Sequence, residues 1–253
     1  MSVRIKDIKA LEKMRTAGKL LASIFDNVEK TIFAGTSTQA IDSWIEEQLT
    51  KHNLVSQSKG YKGYKHVSCI SINDVIVHGV PSEAVILKDG DLVKVDVCAA
   101  WQGYCADMAR CFIVGSVIDK KVADLVAVAR EALNAGIAQA VAGNRLYDIS
   151  AAIQQYVEKH KYGVVRDFAG HGIGLRMHED PDVPNFGTSG TGMRLKAGMT
   201  FAIEPMITMG SYEVYIDRDG WTARTKDALW AAHVEDTVLI TENEPEILTR
   251  PSK

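Results

Sequence analysis

The spacing of apolar residues predicts two long amphipathic helices. Between residues 7 and 33, Met14 and Leu21 belong to a set of apolar side chains that recur on one face of a helix. Between residues 119 and 141, Leu125 belongs to a second set with the same spacing. Polar residues fill the opposite faces, so we expect each helix to cover a hydrophobic core.

A shorter helix is predicted to follow the first one. Gly35 is suited to end the first helix, because glycine adopts the left-handed conformation that often follows a helix. Thr36 and Gln39 then form a capping-box pair, in which each side chain satisfies a free amide. Ile41 and Ile45 continue at helical spacing, which predicts an inward-facing stripe.

In residues 92–99, apolar and polar side chains alternate with a period of two, which predicts a strand. A second strand is predicted over residues 104–114, where it carries Asp107, and an apolar strand over residues 231–240 carries Glu235. The first strand has two distinct faces, with Val93, Val95 and Val97 on one and Lys94, Asp96 and Cys98 on the other.

The chain repeats itself at an offset of 108 residues. The turn Leu87-Lys88-Asp89-Gly90 recurs as Leu195-Lys196-Ala197-Gly198, and the same offset carries Asp96 onto Glu204. Residues of the short helix recur in the same register. A shared register in both helix and turn favours an internal duplication over chance similarity.

The duplication predicts a pseudo-two-fold α/β (α+β) fold, with a sheet covered by helices. We expect a single domain over residues 1–253, made of two related halves of about 7–115 and 116–248. A two-fold axis would bring the two acidic strands of the halves together. Facing carboxylates repel each other unless a proton, a basic side chain or a metal ion lies between them.

The composition and net charge are typical of an ordinary globular protein. The 253 residues are 46% hydrophobic and 24% charged, with a net charge of -3, so non-specific binding to nucleic acid or membranes is not expected. The sequence shows neither a signal peptide nor an apolar run of transmembrane length, which favours the cytoplasm. Its 4 cysteines form no C-x-x-C pair and are expected to be thiols.

The glycine-rich run from Gly170 to Pro181 is the first candidate for chemistry. It places His171 and His178 seven residues apart, beside the acids Glu179 and Asp180. Its glycines disfavour a packed helix, while its ionisable side chains distinguish it from an inert loop.

Five residues are candidates for one metal site: Asp96, Asp107, His171, Glu204 and Glu235. Each has a simpler explanation alone, as a salt-bridge acid, a loop histidine or an edge-strand charge. Together, carboxylates on predicted buried strands need compensating cations. Such mainly oxygen donors suit Mn²⁺, Fe²⁺, Co²⁺ or Zn²⁺, and two bridging carboxylates would allow a dinuclear site that acidifies a shared water.

With these residues assembled, the chain resembles the type I methionine aminopeptidases, a family with the duplicated pita-bread fold. The resemblance runs from about Ile5 to Leu248. Its motifs are Ile72-Asn73-Asp74 with His78-Gly79-Val80-Pro81, Asp96 with Asp107, the His171/His178 run, Glu204-Pro205-Met206, and Asp219-Gly220-Trp221-Thr222. The family implies a cytoplasmic metallo-exopeptidase that removes N-terminal methionine before a small second residue, by hydrolysis through a metal-bridging water.

The resemblance also implies how five ligands would share two divalent ions. Asp96 would hold one ion, while His171 and Glu204 would hold the other. Asp107 and Glu235 would bridge them. The resemblance leaves open whether the ions are cobalt, manganese, iron or zinc.

Roles in substrate binding and catalysis follow from the same resemblance. His78 would contact the substrate and help the peptide nitrogen leave, His178 would donate to the developing oxyanion, and Glu204 would shuttle the proton of the water. The pocket for the methionine side chain would be lined by Tyr61, Tyr64, Cys69, Met177 and Trp221.

The sequence departs from the family pattern at several positions. Lys65 follows Tyr64 where proline is usual, and Met177 stands where an aromatic residue is usual. Around the last ligand the family has Gln-x-Glu-His-Thr, and this chain has His233-Val234-Glu235-Asp236-Thr237. We expect Asp236 to add negative charge beside the metal ions and His233 to compensate for it.

Three other functions were weighed against this one. A proline-directed aminopeptidase or dipeptidase of the same fold would usually carry an extra N-terminal domain. A binding protein that kept the fold would typically have lost metal ligands. A basic cluster of Lys59, Lys62, Lys65 and His66 raises the hypothesis of ribosome binding, although a solvated loop explains it more simply. The expected partners are nascent polypeptide N-termini, and the expected oligomeric state is a monomer.

Overall fold

The computed structural model describes residues 3–115 and 119–250. The predicted boundary between the halves, at residues 115/116, borders residues 116–118, which lie outside the described part. The helices are α1 (Ile8–Val28), α2 (Thr38–Lys51), α3 (Lys120–Ala138) and α4 (Leu146–Lys159), with 3₁₀ turns at Glu29–Thr31 and Tyr61–Gly63. In the described ranges, none of the helices is both long and apolar enough to cross a membrane.

The predicted helical faces are the buried faces. In α1, Met14 and Leu21 are fully buried, and in α3 Leu125 is fully buried. The first helix ends at Val28, earlier than predicted, because the chain tightens into a 3₁₀ turn before Gly35. The mixed helix and sheet class predicted from the sequence is therefore confirmed.

The predicted capping box at the start of α2 is wrong. The cap is Ser37, whose Oγ accepts a hydrogen bond from the backbone N–H of Ala40 over 3.1 Å. The hydroxyl of Thr36 is buried without a hydrogen-bond partner, and the amide of Gln39 donates to Asp42 and Ser43 instead. The helix starts one residue later than the pattern suggested, since Ser37 has the extended backbone of a cap.

The strands form four sheets in which neighbours run antiparallel. They are β1 (Val55–Ser56), β2 (Cys69–Ile72), β3 (Val75–Val77), β4 (Leu92–Trp101), β5 (Tyr104–Ile113), β6 (Gly163–Val164), β7 (Ala169–Gly172), β8 (Glu179–Pro184), β9 (Thr200–Ile203), β10 (Met206–Thr208), β11 (Val214–Ile216), β12 (Ala223–Thr225), β13 (Ala231–His233), β14 (Asp236–Leu239) and β15 (Glu246–Ile247). The sheets are β1/β2–β4–β5, β13–β10–β6, β11–β12–β3 and β15–β14–β9–β7–β8. Helices α1 and α2 cover the first sheet and share its apolar core, while α3 and α4 pack on a second core with β9 and β14.

The predicted apolar strand over residues 231–240 is interrupted. It divides into β13 and β14, which pair with different strands, and Glu235 lies in the break. There Glu235 exchanges backbone hydrogen bonds with Ala109 of β5, its N–H donating over 3.0 Å. At this break, the predicted ligand Glu235 pairs with β5, so the second half of the chain contacts the first half there.

Corresponding elements recur at the offset seen in the sequence. Helix α4 has the same 14-residue length as α2, and its bounds lie 108 residues further along. Gly90 and Gly198 both adopt a positive φ, of 86° and 87°, a conformation that glycine tolerates without strain. These correspondences support our interpretation of two related halves.

Candidate metal centre and substrate pocket

Asp96 and Asp107 are brought together by the register of β4 and β5. Asp96 lies opposite Ala109, and Cys98 lies opposite Asp107. The two carboxylates are therefore diagonal neighbours on the same face of the ribbon. The alternating valines on the other face of β4 enter the core, as predicted. This leaves the acidic face turned toward a cavity.

Glu235 approaches the same face from the far side of β5. Behind it, Thr237 locks the two strands together, because its hydroxyl donates to the carbonyl of Asp107 over 2.9 Å. The same hydroxyl accepts from the N–H of Asp107 over 2.8 Å. These two hydrogen bonds fix the backbone of Asp107 relative to the segment that carries Glu235.

His171 and Glu204 come from the glycine-rich run and from the end of β9. The strand β7 requires glycine on both sides of His171, because a Cβ on Gly170 would collide with the carbonyl of Ala202 and one on Gly172 with that of Asp180. The close approach aims the imidazole inward, where Nε2 lies 3.6 Å from Oε1 of Glu204. His171 Nε2 also lies 3.9 Å from Oδ2 of Asp107. Nδ1 of His171 hydrogen-bonds the carbonyl of Gly172 over 3.0 Å. This contact leaves the lone pair of Nε2 available to bind a metal ion.

The loop that carries His178 is held by Glu179, an acid of the same run to which the sequence pattern assigned no role. The carboxylate of Glu179 accepts hydrogen bonds from the N–H groups of Leu175 and Arg176, and it pairs with Lys6 over 2.8 Å. These contacts shape the loop between β7 and β8. They place the ring of His178 with its centroid 4.4 Å from that of His171.

All twelve predicted site residues line one cavity of about 270 Å³. They are Tyr61, Tyr64, Cys69, His78, Asp96, Asp107, His171, Met177, His178, Glu204, Trp221 and Glu235. Residues that the sequence did not indicate complete the wall: Ser58, Lys62, Val77, Cys98, Phe168, Ala169 and Met206. Phe168 meets the ring of His78 edge-on, at 5.2 Å between centroids. One end of the cavity is acidic and the other is aromatic and apolar.

The buried carboxyl groups at the acidic end of the cavity repel one another. Burial, and then repulsion by neighbouring carboxylates, raises the pKa of Asp96 to about 8 and that of Asp107 to about 7. Burial also raises the pKa of Glu204 to about 8, and it raises that of Glu235 well above the usual range. Within residues 3–115 and 119–250, Oδ1 of Asp107 and Oε1 of Glu235 are buried without a hydrogen-bond partner. Such oxygens fit a divalent cation, which would replace the missing partners and favour the ionised acids.

The histidines around the acids are in the neutral form at neutral pH. Burial lowers the pKa of His171 to about 3, and the neighbouring His178 adds to the effect. Burial lowers that of His78 to about 4, with contributions from His233 and His178. Neutral imidazole is the form that binds metal ions. Two groups of ligand atoms lie within 4.8 Å of one another, Asp107 with His171 and Glu235, and Glu204 with His233 and Glu235.

Asp236 does add negative charge beside the proposed ligand Glu235, because it helps to raise the pKa of that acid, but its contribution is smaller than those of burial and of the other carboxylates. The expectation that His233 compensates for this charge is wrong. Asp236 is fully buried, but its carboxylate is bound by Arg110 over 2.6 Å and by Arg250 over 2.7 Å. His233 instead lies beside Glu204. Its position was detectable, because residues two apart on an extended chain share a face and His233 is two residues before Glu235.

The predicted basic cluster is divided among different contacts. Lys59 forms an ion pair with Glu46, and His66 lies 3.1 Å from the carboxylate of Asp42. Lys62 extends over the ring of Tyr61 at the mouth of the cavity. The cluster is thus not a continuous basic surface.

Comparison with known proteins agrees with this geometry. The chain matches the model of metallopeptidase family M24 over residues 12–242. It is 45% identical over 245 residues to the methionine aminopeptidase of Clostridium acetobutylicum, covering 97% of this chain and 98% of that protein. It is similar to the crystal structure of methionine aminopeptidase from Thermotoga maritima, with a TM-score of 0.96, 44% identity, and coverage of 99% of this chain and 100% of that one.

A more distant likeness concerns the fold alone. The prolidase from Pyrococcus furiosus matches with a TM-score of 0.76 at 24% identity, over 98% of this chain but 66% of that one. Together with the higher similarity above, this confirms the predicted pita-bread fold.

Proposed function

This chain belongs to metallopeptidase family M24, and from that premise we propose that it removes the N-terminal methionine from proteins and peptides whose second residue is small. The resemblance to type I methionine aminopeptidases stated from the motifs is confirmed, and the chain is a metal-dependent hydrolase. One observation carries the proposal for its site. Unpartnered buried carboxylates and neutral imidazoles lie at one end of a cavity whose other end is apolar.

The donor set suits two divalent ions. Asp96 would hold one, His171 and Glu204 the other, and Asp107 and Glu235 would bind both. When bound, the ions would polarise the scissile carbonyl and lower the pKa of a shared water. Carboxylates with one or two imidazoles suit manganese, iron, cobalt or zinc.

Glu204 is suited to move the proton released in hydrolysis. Burial raises its pKa into the neutral range, where a carboxyl group can accept a proton and later return it. Its backbone carbonyl accepts a hydrogen bond from the side-chain amide of the buried Asn185 over 3.0 Å, which holds the segment after β9 in place. The side chain can therefore transfer a proton without moving its backbone.

His78 and His178 both line the cavity that holds the acids and would act on the peptide bond. Burial lowers the pKa of both imidazoles, so each can donate a hydrogen bond as a neutral group. His178 would donate to the carbonyl oxygen as it gains negative charge, a role worth a factor of about 10² to 10³ in rate. His78, held against Phe168, would bind the peptide nitrogen and help it leave.

The apolar end of the cavity would hold the methionine side chain. Tyr64 packs against Trp221 with 5.0 Å between ring centroids, and Cys69 and Met177 complete the walls. A thioether fits among aromatic rings and sulfur atoms, where it makes favourable sulfur–aromatic contacts. We expect the site to be crowded beyond the scissile bond, which would favour glycine, alanine or serine as the second residue.

We propose nascent polypeptide N-termini as the natural substrates and a monomer in the cytoplasm as the working form. Ribosome binding through the basic cluster remains a separate hypothesis. Reversing the charges of Lys62 and Lys65, which are both exposed, tests it. Unchanged co-sedimentation with ribosomes would contradict that hypothesis.

Methionine release from Met-Gly-Met-Met tests the main proposal. The protein is stripped with a chelator and assayed with Mn²⁺ or Co²⁺ restored, with Met-Leu-Met-Met and an Xaa-Pro peptide as comparison substrates. We expect metal-dependent release of the first methionine from Met-Gly-Met-Met only. Preferred cleavage of the Xaa-Pro peptide would favour a proline-directed enzyme, and no cleavage by the folded, metal-loaded protein would refute the proposal.

A further inference from the structure

His233 is a buried histidine with an unsatisfied ring nitrogen. Only 2% of its surface is exposed, and its Nε2 atom has no hydrogen-bond partner among the residues that the structure describes. Buried polar atoms are rarely left unpaired, because desolvation then costs free energy without compensation. The surroundings of Nε2 therefore indicate what it binds.

The nearest acid is Glu204. Nε2 of His233 lies 3.4 Å from Oε2 of Glu204, too far for a charge-assisted hydrogen bond, which is typically about 2.7 to 2.9 Å long. The other oxygen, Oε1, lies 3.6 Å from Nε2 of His171. The carboxylate thus lies between two imidazole nitrogens at nearly equal distances.

These separations match those between donors bound to one ion. Donor atoms that each lie about 2.1 Å from a metal ion, at a tetrahedral angle, are about 3.4 Å apart. His233, Glu204 and Glu235 also offer ligand atoms that all lie within 4.8 Å of one another.

We propose that His233 is a further metal ligand, whose Nε2 binds a divalent ion together with Glu204 and Glu235. The inference rests on the proposed function, in which five residues hold two metal ions, and it adds a second imidazole to those five ligands. An extra nitrogen donor strengthens the binding of zinc, cobalt and iron more than that of manganese, which prefers oxygen. The chain would consequently select a more nitrogen-preferring metal than the five ligands alone.

Metal titration of His233→Gln tests the proposal, because glutamine preserves much of the volume and polarity. Chelator-stripped protein is titrated with Zn²⁺ and Mn²⁺ against a competing chelator. Even outer partners of metal ligands contribute about 10- to 100-fold in affinity, so loss of a direct ligand should weaken Zn²⁺ binding by about 100-fold and Mn²⁺ binding less. His160→Gln is the matched control, since His160 is exposed and its ring nitrogen Nδ1 bonds the carbonyl of Tyr156.

Proton NMR of the Co²⁺-loaded protein provides a count of bound imidazoles that does not depend on activity. We expect hyperfine-shifted ring N–H signals from His171 and His233, with the second lost in His233→Gln and in His233→Leu. A single imidazole signal in the wild-type protein, or equal Zn²⁺ affinity in folded His233→Gln, would overturn the inference. Either result leaves the proposed function intact if Met-Gly-Met-Met is still cleaved, whereas a wild-type protein that binds no divalent ion would refute the proposed function itself.

Discussion

Nη2 of Arg110 donates a hydrogen bond to Oδ1 of Asp236, the residue after the proposed ligand Glu235, over 2.6 Å. The same guanidinium also donates to the backbone carbonyl of Glu235. Arg110 thus neutralises an acid on one side of Glu235 and restrains the backbone of Glu235 itself. An aspartate that was expected to add negative charge beside the metal ions is in this way paired with arginine, and it makes only a small contribution to raising the pKa of Glu235.

Loss of this contact should destabilise the protein. In Arg110→Met, the fully buried Asp236 would keep only Arg250 and Thr249 as partners. Removing one partner of a buried ion pair costs about 3 to 5 kcal/mol, and we expect the lower end because Arg250 remains. The measurement is urea-induced unfolding with metal present. Arg250→Met is the matched control and should cost less, since the side chain of Arg250 is 37% exposed and that of Arg110 22%. Equal losses in the two variants would contradict the structural assignment.

Replacing the two histidines of the glycine-rich run should separate metal binding from catalysis. His171→Ala removes a proposed ligand whose Nε2 lies 3.6 Å from Glu204, so metal content after dialysis should fall. His178→Ala removes a donor to the oxyanion, so metal content should persist while kcat falls about 10²- to 10³-fold. Elemental analysis of both variants decides the question. The division of roles fails if metal content falls equally in both.

The metal-free protein should lose stability as pH rises from about 6.5 to 8. In this range the folded acids Asp96, Asp107 and Glu204 have pKa values raised to about 7 to 8. A carboxyl group with a raised folded pKa stabilises the fold fully below its unfolded pKa, and this contribution is lost as pH rises through the folded pKa. Lys94 acts in the opposite direction, because burial lowers its pKa to about 7, but it is one group against several. The imidazoles with lowered pKa values act mainly below pH 6.5.

Calorimetry with a chelator at pH 6.5 and pH 8 measures this effect, and the same scans with Mn²⁺ form the control. We expect Tm to fall with pH only in the metal-free protein, since bound cations stabilise the ionised acids. A metal-free Tm that rises over this range would show that the acids are not held in a desolvated group.

A larger residue at position 69 should obstruct the methionine pocket. Cys69 lines the cavity of about 270 Å³ close to Tyr64 and Trp221, so the added volume in Cys69→Leu would occupy space proposed for the thioether. Poor accommodation of one or two carbon atoms costs about 10-fold or more in kcat/KM. Steady-state cleavage of Met-Gly-Met-Met measures the change. Cys69→Ala, which leaves the space open, should retain kcat/KM within a few-fold, and an equal loss in both variants would argue against this placement of the side chain.

Local patterns in the sequence were sufficient to predict much of the fold. The buried faces of α1 and α3, and the alternating faces of β4, follow from hydrophobic period, which depends only on residues near one another in the chain. The cap of α2 was missed because Thr36 and Ser37 are both good caps, and backbone conformation decides between them. The break at Glu235 was missed because it depends on pairing with Ala109, which is remote in sequence.

The candidate site likewise has features that the sequence predicted and features that depend on residues remote in the chain. The sequence by itself was enough to propose the metal ligands and, through the family resemblance, the pocket residues, because His171, Glu204 and the other motif residues carry their chemistry wherever the chain folds. Only the tertiary structure decided that Asp236 is neutralised by Arg110, 126 residues away, and that His233 turns toward Glu204. Charge compensation depends on distances between side chains in space, and neither residue type nor local spacing encodes these distances.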